Sequence, residues 1–221
     1  LQLDPSFACI TTMDADHLDI YGTKENLEET FVAFSKKVKK QLVVAKGIPL
    51  DGITYAVDTP ADYYAINIKT KDLGYTFDLV TPNGIFEEVY LNLTGIHNLS
   101  NAVAAAAMAE LGGLPLKLTL KAFSSFPGIN RRMNVFNSAG KTIIDDYAHH
   151  PTEIKMVVDA LKERYPESKR AVIFQPHLFS RTQDFMVDFA IILSEFDEVL
   201  LMDIYPAREL PINGITSDVP V

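Results

Sequence analysis

Past residue 130, short apolar runs alternate with helix-length stretches, and no other feature constrains the fold of this chain as tightly. Residues 133–137 and 142–145 read as strands, 151–165 as a helix, 170–175 as a strand, 182–195 as a helix and 198–204 as a strand. This β-α-β-α-β order predicts a parallel sheet, and such sheets bind ligands outside the carboxyl ends of their strands. Three chemically dense segments fall at those ends. They are Asp145-Asp146-Tyr147-Ala148-His149-His150-Pro151, Pro176-His177-Leu178-Phe179-Ser180-Arg181-Thr182 and Tyr205-Pro206-Ala207-Arg208-Glu209.

The first part of the chain is less regular. Phe7-Ala8-Cys9-Ile10-Thr11-Thr12 suits a buried parallel strand and runs into Met13-Asp14-Ala15-Asp16-His17-Leu18-Asp19. Leu27, Phe31, Phe34 and Val38 recur at helical spacing, which predicts an amphipathic helix over 24–40. A short strand follows over 41–45. From 52 to 93 the pattern changes to short strands with turns, such as Thr81-Pro82-Asn83-Gly84 between 75–80 and 85–91. These predict an antiparallel insert or edge on the α/β body. An Ala-rich helix over 99–111 stops at Gly112-Gly113, and a second helix follows Pro115 to 124. Phe126-Pro127-Gly128-Ile129-Asn130 breaks the pattern and predicts a domain boundary near 130.

With 221 residues the chain can bury a core in one large domain or two modest ones. Its 48% hydrophobic and 22% charged content is that of a folded chain. No apolar run approaches the length of a membrane span. The opening Leu1-Gln2-Leu3-Asp4-Pro5 has no signal-peptide character and no initiator Met, so the chain is expected to begin inside a longer protein. Cys9 has no second Cys to pair with, which fits a reducing, cytoplasmic compartment. A formal charge of −9 argues against nucleic acid as the main partner. A local basic cluster can still grip an anionic ligand.

Each candidate site has a structural alternative. Asp145 and Asp146 at a strand end can accept sugar hydroxyls or help hold a hydrated cation, and His149 and His150 add nitrogen donors; alternatively, an Asp and a Pro stop a strand and start a helix. His177 and Arg181 lie at the next strand end, where Arg can clamp a carboxylate or phosphate; alternatively, Ser180 caps a helix and Arg181 points into solvent. Asp14, Asp16, His17 and Asp19 resemble a hard-cation site, or a solvated acidic loop. Asn98 and Asn101 share one helix face, and their amides can read a purine edge; alternatively, Asn98 is a helix cap. Ala139-Gly140-Lys141-Thr142 imitates the end of a phosphate loop, but Val135 stands where its first Gly belongs and no helix follows. The chain contains no Walker-type loop.

Read together, these segments resemble the Mur ligases of bacterial peptidoglycan synthesis. Thr94-Gly95-Ile96-His97-Asn98-Leu99-Ser100-Asn101-Ala102 is similar to their adenine-side motif. Asp145 to Pro151 followed by Thr152-Glu153, and Gln175-Pro176-His177 with Ser180-Arg181-Thr182, resemble the branch that joins L-alanine to UDP-N-acetylmuramate. Tyr205-Pro206-Ala207-Arg208-Glu209 also resembles the corresponding segment of that branch. The resemblance implies an α/β fold, with the later part of a central ATP-binding domain over 1–130. A Rossmann-like parallel-sheet domain that binds the amino acid would occupy 131–221 and stop short of its full length. It implies an ATP- and Mg²⁺-dependent ligase in which an acyl phosphate of the muramate carboxylate is attacked by the amine. By motif position the resemblance implies that His17 binds Mg²⁺, that Asn98 and Asn101 face adenine with His97 beside them, that Arg132 with Arg131 reaches the phosphates or ribose, and that Asp146 reaches the ribose. His149, His177 and Arg181 surround L-alanine.

Two departures qualify the match. Leu178 replaces an Arg usual after that His, so Arg181 carries the carboxylate alone or Arg208 substitutes. The UDP-binding domain and phosphate loop of the family would precede Leu1, so this stretch alone is expected to be inactive. A ligase that attaches an intact tripeptide to the same nucleotide, and a non-catalytic nucleotide-binding module, are the competing readings.

Overall fold

Six strand-forming runs in the first half of the chain hydrogen-bond into one sheet whose spatial order follows the chain. They are β1 (Phe7–Ile10), β2 (Gln41–Ala45), β3 (Ile53–Val57), β4 (Tyr63–Lys71), β5 (Gly74–Thr81) and β6 (Gly84–Leu91). The computed structural model describes residues 2–14 and 18–217, and the chain divides into two compact units, Leu1–Gly128 and Ile129–Val221. Helices α1 (Leu18–Tyr21) and α2 (Lys24–Ser35) connect β1 to β2, and α3 (Ile96–Leu111) and α4 (Leu116–Phe123) follow β6.

β1 to β4 pair in parallel, and only β4-β5-β6 are antiparallel. The expected antiparallel insert therefore begins one strand later than the sequence pattern implied. The short connection after β3 is pinned by the Asp62 carboxylate, which accepts the Thr54 N–H at 2.8 Å and the Thr54 hydroxyl at 2.7 Å. Helix α2 also ends earlier than expected. Beyond Ser35 the backbone leaves the helix, and the N–H groups of Lys39 and Lys40 donate to the Pro5 and Ser6 carbonyls ahead of β1.

Strand β2 shows why this sheet is a middle layer. Leu42 and Val44 pack with Ala8 and Ile10 toward Phe31 and Phe34 of α2, while Val43 joins Tyr55, Tyr63, Phe77 and the buried face of α3. Ala102, Ala106 and Ala107 keep that face of α3 small, so Leu99 and Val103 can be fully buried on the sheet. Truncating Leu99 to Ala would cost about 2–5 kcal/mol, the usual range for a buried Leu.

In the second unit, β7 (Asn134–Ser138) and β8 (Lys141–Asp145) form an antiparallel hairpin of their own. The sequence had suggested that both belong to a parallel sheet. The two-residue turn decides otherwise: Ala139 and Gly140 both have left-handed φ, 50° and 72°, the geometry that joins adjacent antiparallel strands. The imitation phosphate loop is this turn. The parallel part of the unit is β9 (Ala171–Phe174) beside β10 (Glu198–Leu201), covered by α5 (Pro151–Arg164) and α7 (Met186–Leu193) through Ile154, Val158, Phe174, Phe189 and Leu193. The helix expected over 182–195 is two helices, α6 (Phe179–Asp184) and α7, separated at Phe185, whose ring packs 4.7 Å from that of His150.

Candidate functional site

The first group of candidate residues opens α3. Gly95 is its N-cap at φ 94°, a value that L side chains rarely adopt. The buried Gly95 N–H donates to the Tyr75 hydroxyl at 3.1 Å, and the Thr94 hydroxyl donates to the Leu73 carbonyl at 2.6 Å. Asn98 is thus inside the helix rather than its cap, and its amide nitrogen donates to the Thr94 carbonyl at 2.7 Å. That fixes the amide and turns its oxygen into the available acceptor. His97 is half-buried in the same turn, and Asn101 is exposed on the next.

The second group is built around the carboxyl end of β9. Pairing with β10 continues past both strands: the Tyr205 N–H donates to the Pro176 carbonyl at 2.8 Å and the Leu178 N–H donates to the Tyr205 carbonyl at 2.9 Å. The rings of His177 and Tyr205 stack at 5.5 Å. Arg181 is 6% exposed, so the solvent-facing alternative for it does not hold. Its guanidinium lies 3.4 Å from His177 Nδ1. Arg only donates, so His177 accepts at Nδ1 and, when neutral, carries its proton on Nε2. Burial, reinforced by the charges of Arg181, His149 and Arg208 and opposed by Glu209, pushes the His177 pKa below its ordinary value.

His149 reaches the same place from the turn between β8 and α5, with its ring 6.0 Å from that of His177. Its Nδ1 lies 2.8 Å from the Tyr147 carbonyl, which can only accept. The neutral ring therefore carries its proton on Nδ1 and leaves Nε2 as an acceptor, the opposite tautomer from His177. Glu153 accepts the His149 N–H at 3.0 Å and stands 3.5 Å from the Arg132 guanidinium. Arg131 lies over the Tyr147 ring at 4.7 Å, with Arg132 at 6.0 Å. Asp146 accepts the Met133 N–H at 2.8 Å and the Ala148 N–H at 2.7 Å, tying this turn to the start of β7. Each of its oxygens retains a second lone pair.

Two candidates fall elsewhere. His150 points inward: it is buried, and its Nδ1 caps α5 by accepting the Thr152 N–H at 3.3 Å. Asp145 is the exposed last residue of β8. His17 lies outside the described residues. Among the described residues no group of three His, Cys, Asp or Glu is arranged to hold a metal ion.

The chain matches the model of the Mur ligase middle domain over residues 1–109 and that of the Mur ligase glutamate ligase domain over 131–219. It belongs to the Mur ligase family. It is 50% identical over 220 residues to the UDP-N-acetylmuramate–L-alanine ligase of Flavobacterium johnsoniae, covering 98% of this chain and 49% of that protein. The chain thus spans about half the length of the curated relatives it matches. A crystal structure of the UDP-N-acetylmuramate–alanine ligase of Thermotoga maritima superposes with a TM-score of 0.73 at 27% identity, over 92% of this chain and 47% of that one. The MurF ligase of Thermotoga maritima in complex with ADP, 20% identical, has the same fold at a TM-score of 0.73 over 89% of this chain and 48% of its own.

Within this Mur ligase chain, the sequence singled out Arg131, Arg132, Asp146, His149, His177 and Arg181; Tyr147 meets Arg131, Arg132 and His149, and the His149 ring lies 6.0 Å from that of His177, which Arg181 contacts. It did not single out Glu153, which engages both His149 and Arg132, or Tyr205, which stacks on His177. Glu153 carries a detectable signal, an acidic residue in the first turn behind a helix start. Tyr205 lies in the strand-end segment 205–209, but its stacking on His177 carries no signal, because that partner belongs to another strand.

Proposed function

We propose that the full-length protein joins L-alanine to UDP-N-acetylmuramate using ATP, in the cytoplasm, and that this chain supplies adenine-side contacts and the amino-acid site. The observation that carries this reading is the meeting of a buried Arg181 with two imidazoles of opposite tautomer, His149 and His177, beyond the end of β9. Phosphoryl transfer from ATP would turn the muramate carboxylate into an acyl phosphate. The amine of L-alanine would then attack the acyl carbon, expelling phosphate and losing a proton.

Those residue chemistries fit the second step. Arg181 offers a planar fork of N–H donors for the amino-acid carboxylate. The buried Leu178 beside it has no charge to add, and Arg208 is exposed, so Arg181 carries this contact in our reading. His149 Nε2 can accept from the substrate ammonium and take its proton as the amide forms, and His177 Nε2–H can donate. For the nucleotide, His97, Asn98 and Asn101 are proposed to face adenine. Asn98 suits this role because its remaining amide oxygen accepts the kind of N–H that adenine presents. Arg131 and Arg132 are proposed for phosphate or ribose, and Asp146 for ribose hydroxyls. Mg²⁺ would offset the phosphate charge, and His17 is the residue proposed to bind it.

Phosphate release from ATP and UDP-N-acetylmuramate by the full-length protein tests this, with L-alanine, glycine, L-serine or a tripeptide as acceptor. Release that depends on L-alanine is the expected result. Release with the tripeptide but not with L-alanine would replace this reading by the tripeptide-attaching one. Nucleotide binding without acceptor-dependent release would leave only a binding module.

A further inference from the structure

Helix α6, which carries Arg181, has no cap of its own. Its N-cap is Leu178, held at φ 72° with an apolar, buried side chain, so nothing local accepts the first N–H groups. The acceptor comes from 29 residues away: the Glu209 carboxylate takes the Ser180 N–H at 3.0 Å and the Ser180 hydroxyl at 2.5 Å. Glu209 is itself set by a turn in which its N–H donates to the Pro206 carbonyl at 2.9 Å, with Ala207 at φ 48°.

The same short segment holds the preceding residues. Tyr205 exchanges backbone hydrogen bonds with Pro176 and Leu178 and lays its ring against His177. Residues 205–209 therefore run as a brace along 176–180, clamped at one end by Tyr205 and at the other by Glu209. The charge balance points the same way. Arg181 lies within the first turn of α6, where the backbone dipoles already present a positive end. His177 and Arg208 are close enough for their charges to interact, and Glu209 is the negative group facing His177.

We propose that Glu209 is a positioning residue for the amino-acid site: by capping α6 from a distance it fixes the register of Arg181 against His177, with Tyr205 setting the plane of the His177 ring. This rests on the reading of His177 and Arg181 as amino-acid contacts. Glu209 touches no reacting atom in this scheme; it acts through Ser180 and the helix start.

Steady-state kinetics of the full-length protein, with thermal melting of each variant, test the inference. Glu209→Ala is expected to raise the KM for L-alanine about tenfold, the usual effect of losing one charge-assisted hydrogen bond, and to leave the KM for ATP within about twofold. Glu209→Gln keeps an acceptor but not the charge. It should give a smaller rise and move the acid limb of kcat/KM for L-alanine to lower pH, because His177 loses the negative charge that opposes the lowering of its pKa. Ser180→Ala, which removes only the hydroxyl arm, should show the same split at about threefold and serves if Glu209→Ala does not fold. An unchanged KM for L-alanine in folded variants overturns the proposal, as does a parallel rise in both KM values with a lower melting temperature. Arg181→Ala and His177→Ala separate the two levels. If they leave the KM for L-alanine unchanged, the site reading itself fails; if they raise it while Glu209→Ala does not, only the positioning role fails.

Discussion

A guanidinium keeps its charge at any pH the protein meets, so burying Arg181 is tolerable only where its N–H donors find acceptors. His177 is one of these, and only while neutral at Nδ1. This gives a signed pH prediction. The His177 pKa lies below its ordinary 6.5, first because of burial and then because of Arg181. The contact is intact above that range and is lost as pH falls through the lowered value. We expect kcat/KM for L-alanine to be flat across neutral pH and to fall on the acid side below 6.5. An inflection above pH 7 assigned to His177 by imidazole NMR would contradict it. Arg181→Lys keeps the charge but loses the planar fork. It is expected to raise the KM for L-alanine by roughly tenfold or more with little change in the KM for ATP, read by initial-rate kinetics.

Between residue and molecule, the strands carry their own devices. Two facing irregularities interrupt the β4-β5-β6 ladder, between Ile66 and Lys69 and between Phe77 and Leu79. Asn67 and Glu88, both at φ 54°, mark them, and Asp78 between them joins the two. Its carboxylate accepts the Asn67 amide at 2.7 Å and the Glu88 N–H at 2.9 Å, and these bonds hold its pKa below the ordinary 3.8. A lowered carboxyl pKa stabilises the fold above the ordinary value, and that contribution disappears as pH falls through the lowered one. Asp78→Ala should therefore cost about 1 kcal/mol at pH 7, a figure kept small because the group is exposed and screened. Urea unfolding of variant and parent should converge as pH drops below 3.8; a gap that persists there would mean the carboxylate charge is not the cause.

For the whole chain, the arrangement into two units has a direct consequence. Residues 124–127 are exposed and lie between the end of α4 and the start of the second unit at Ile129. Exposed connections with few backbone partners are the preferred sites of nicking. Limited proteolysis should cleave first within 124–128 and leave two resistant pieces, identified by mass spectrometry. Early cleavage inside β7-β8 or α3 would count against the division.

The sequence by itself determined the elements whose cause is local: the apolar run of β2, the Ala-rich face of α3 with its Gly112-Gly113 stop, and the chemical crowding at 145–151 and 176–182. Periodicity and turn chemistry act over neighbouring residues, so they can be read along the chain. The Ala139-Gly140 turn that folds β8 back on β7 is also local, but only the tertiary structure decided that His150 turns inward while His149 turns to the site, and that Arg181 is buried rather than solvated. It alone brought Tyr205 and Glu209 against His177 and Ser180. The physical reason is the same in each case. Hydrogen bonds between strands and the burial of charged groups depend on partners distant in sequence, and a linear pattern carries no record of which distant residue arrives.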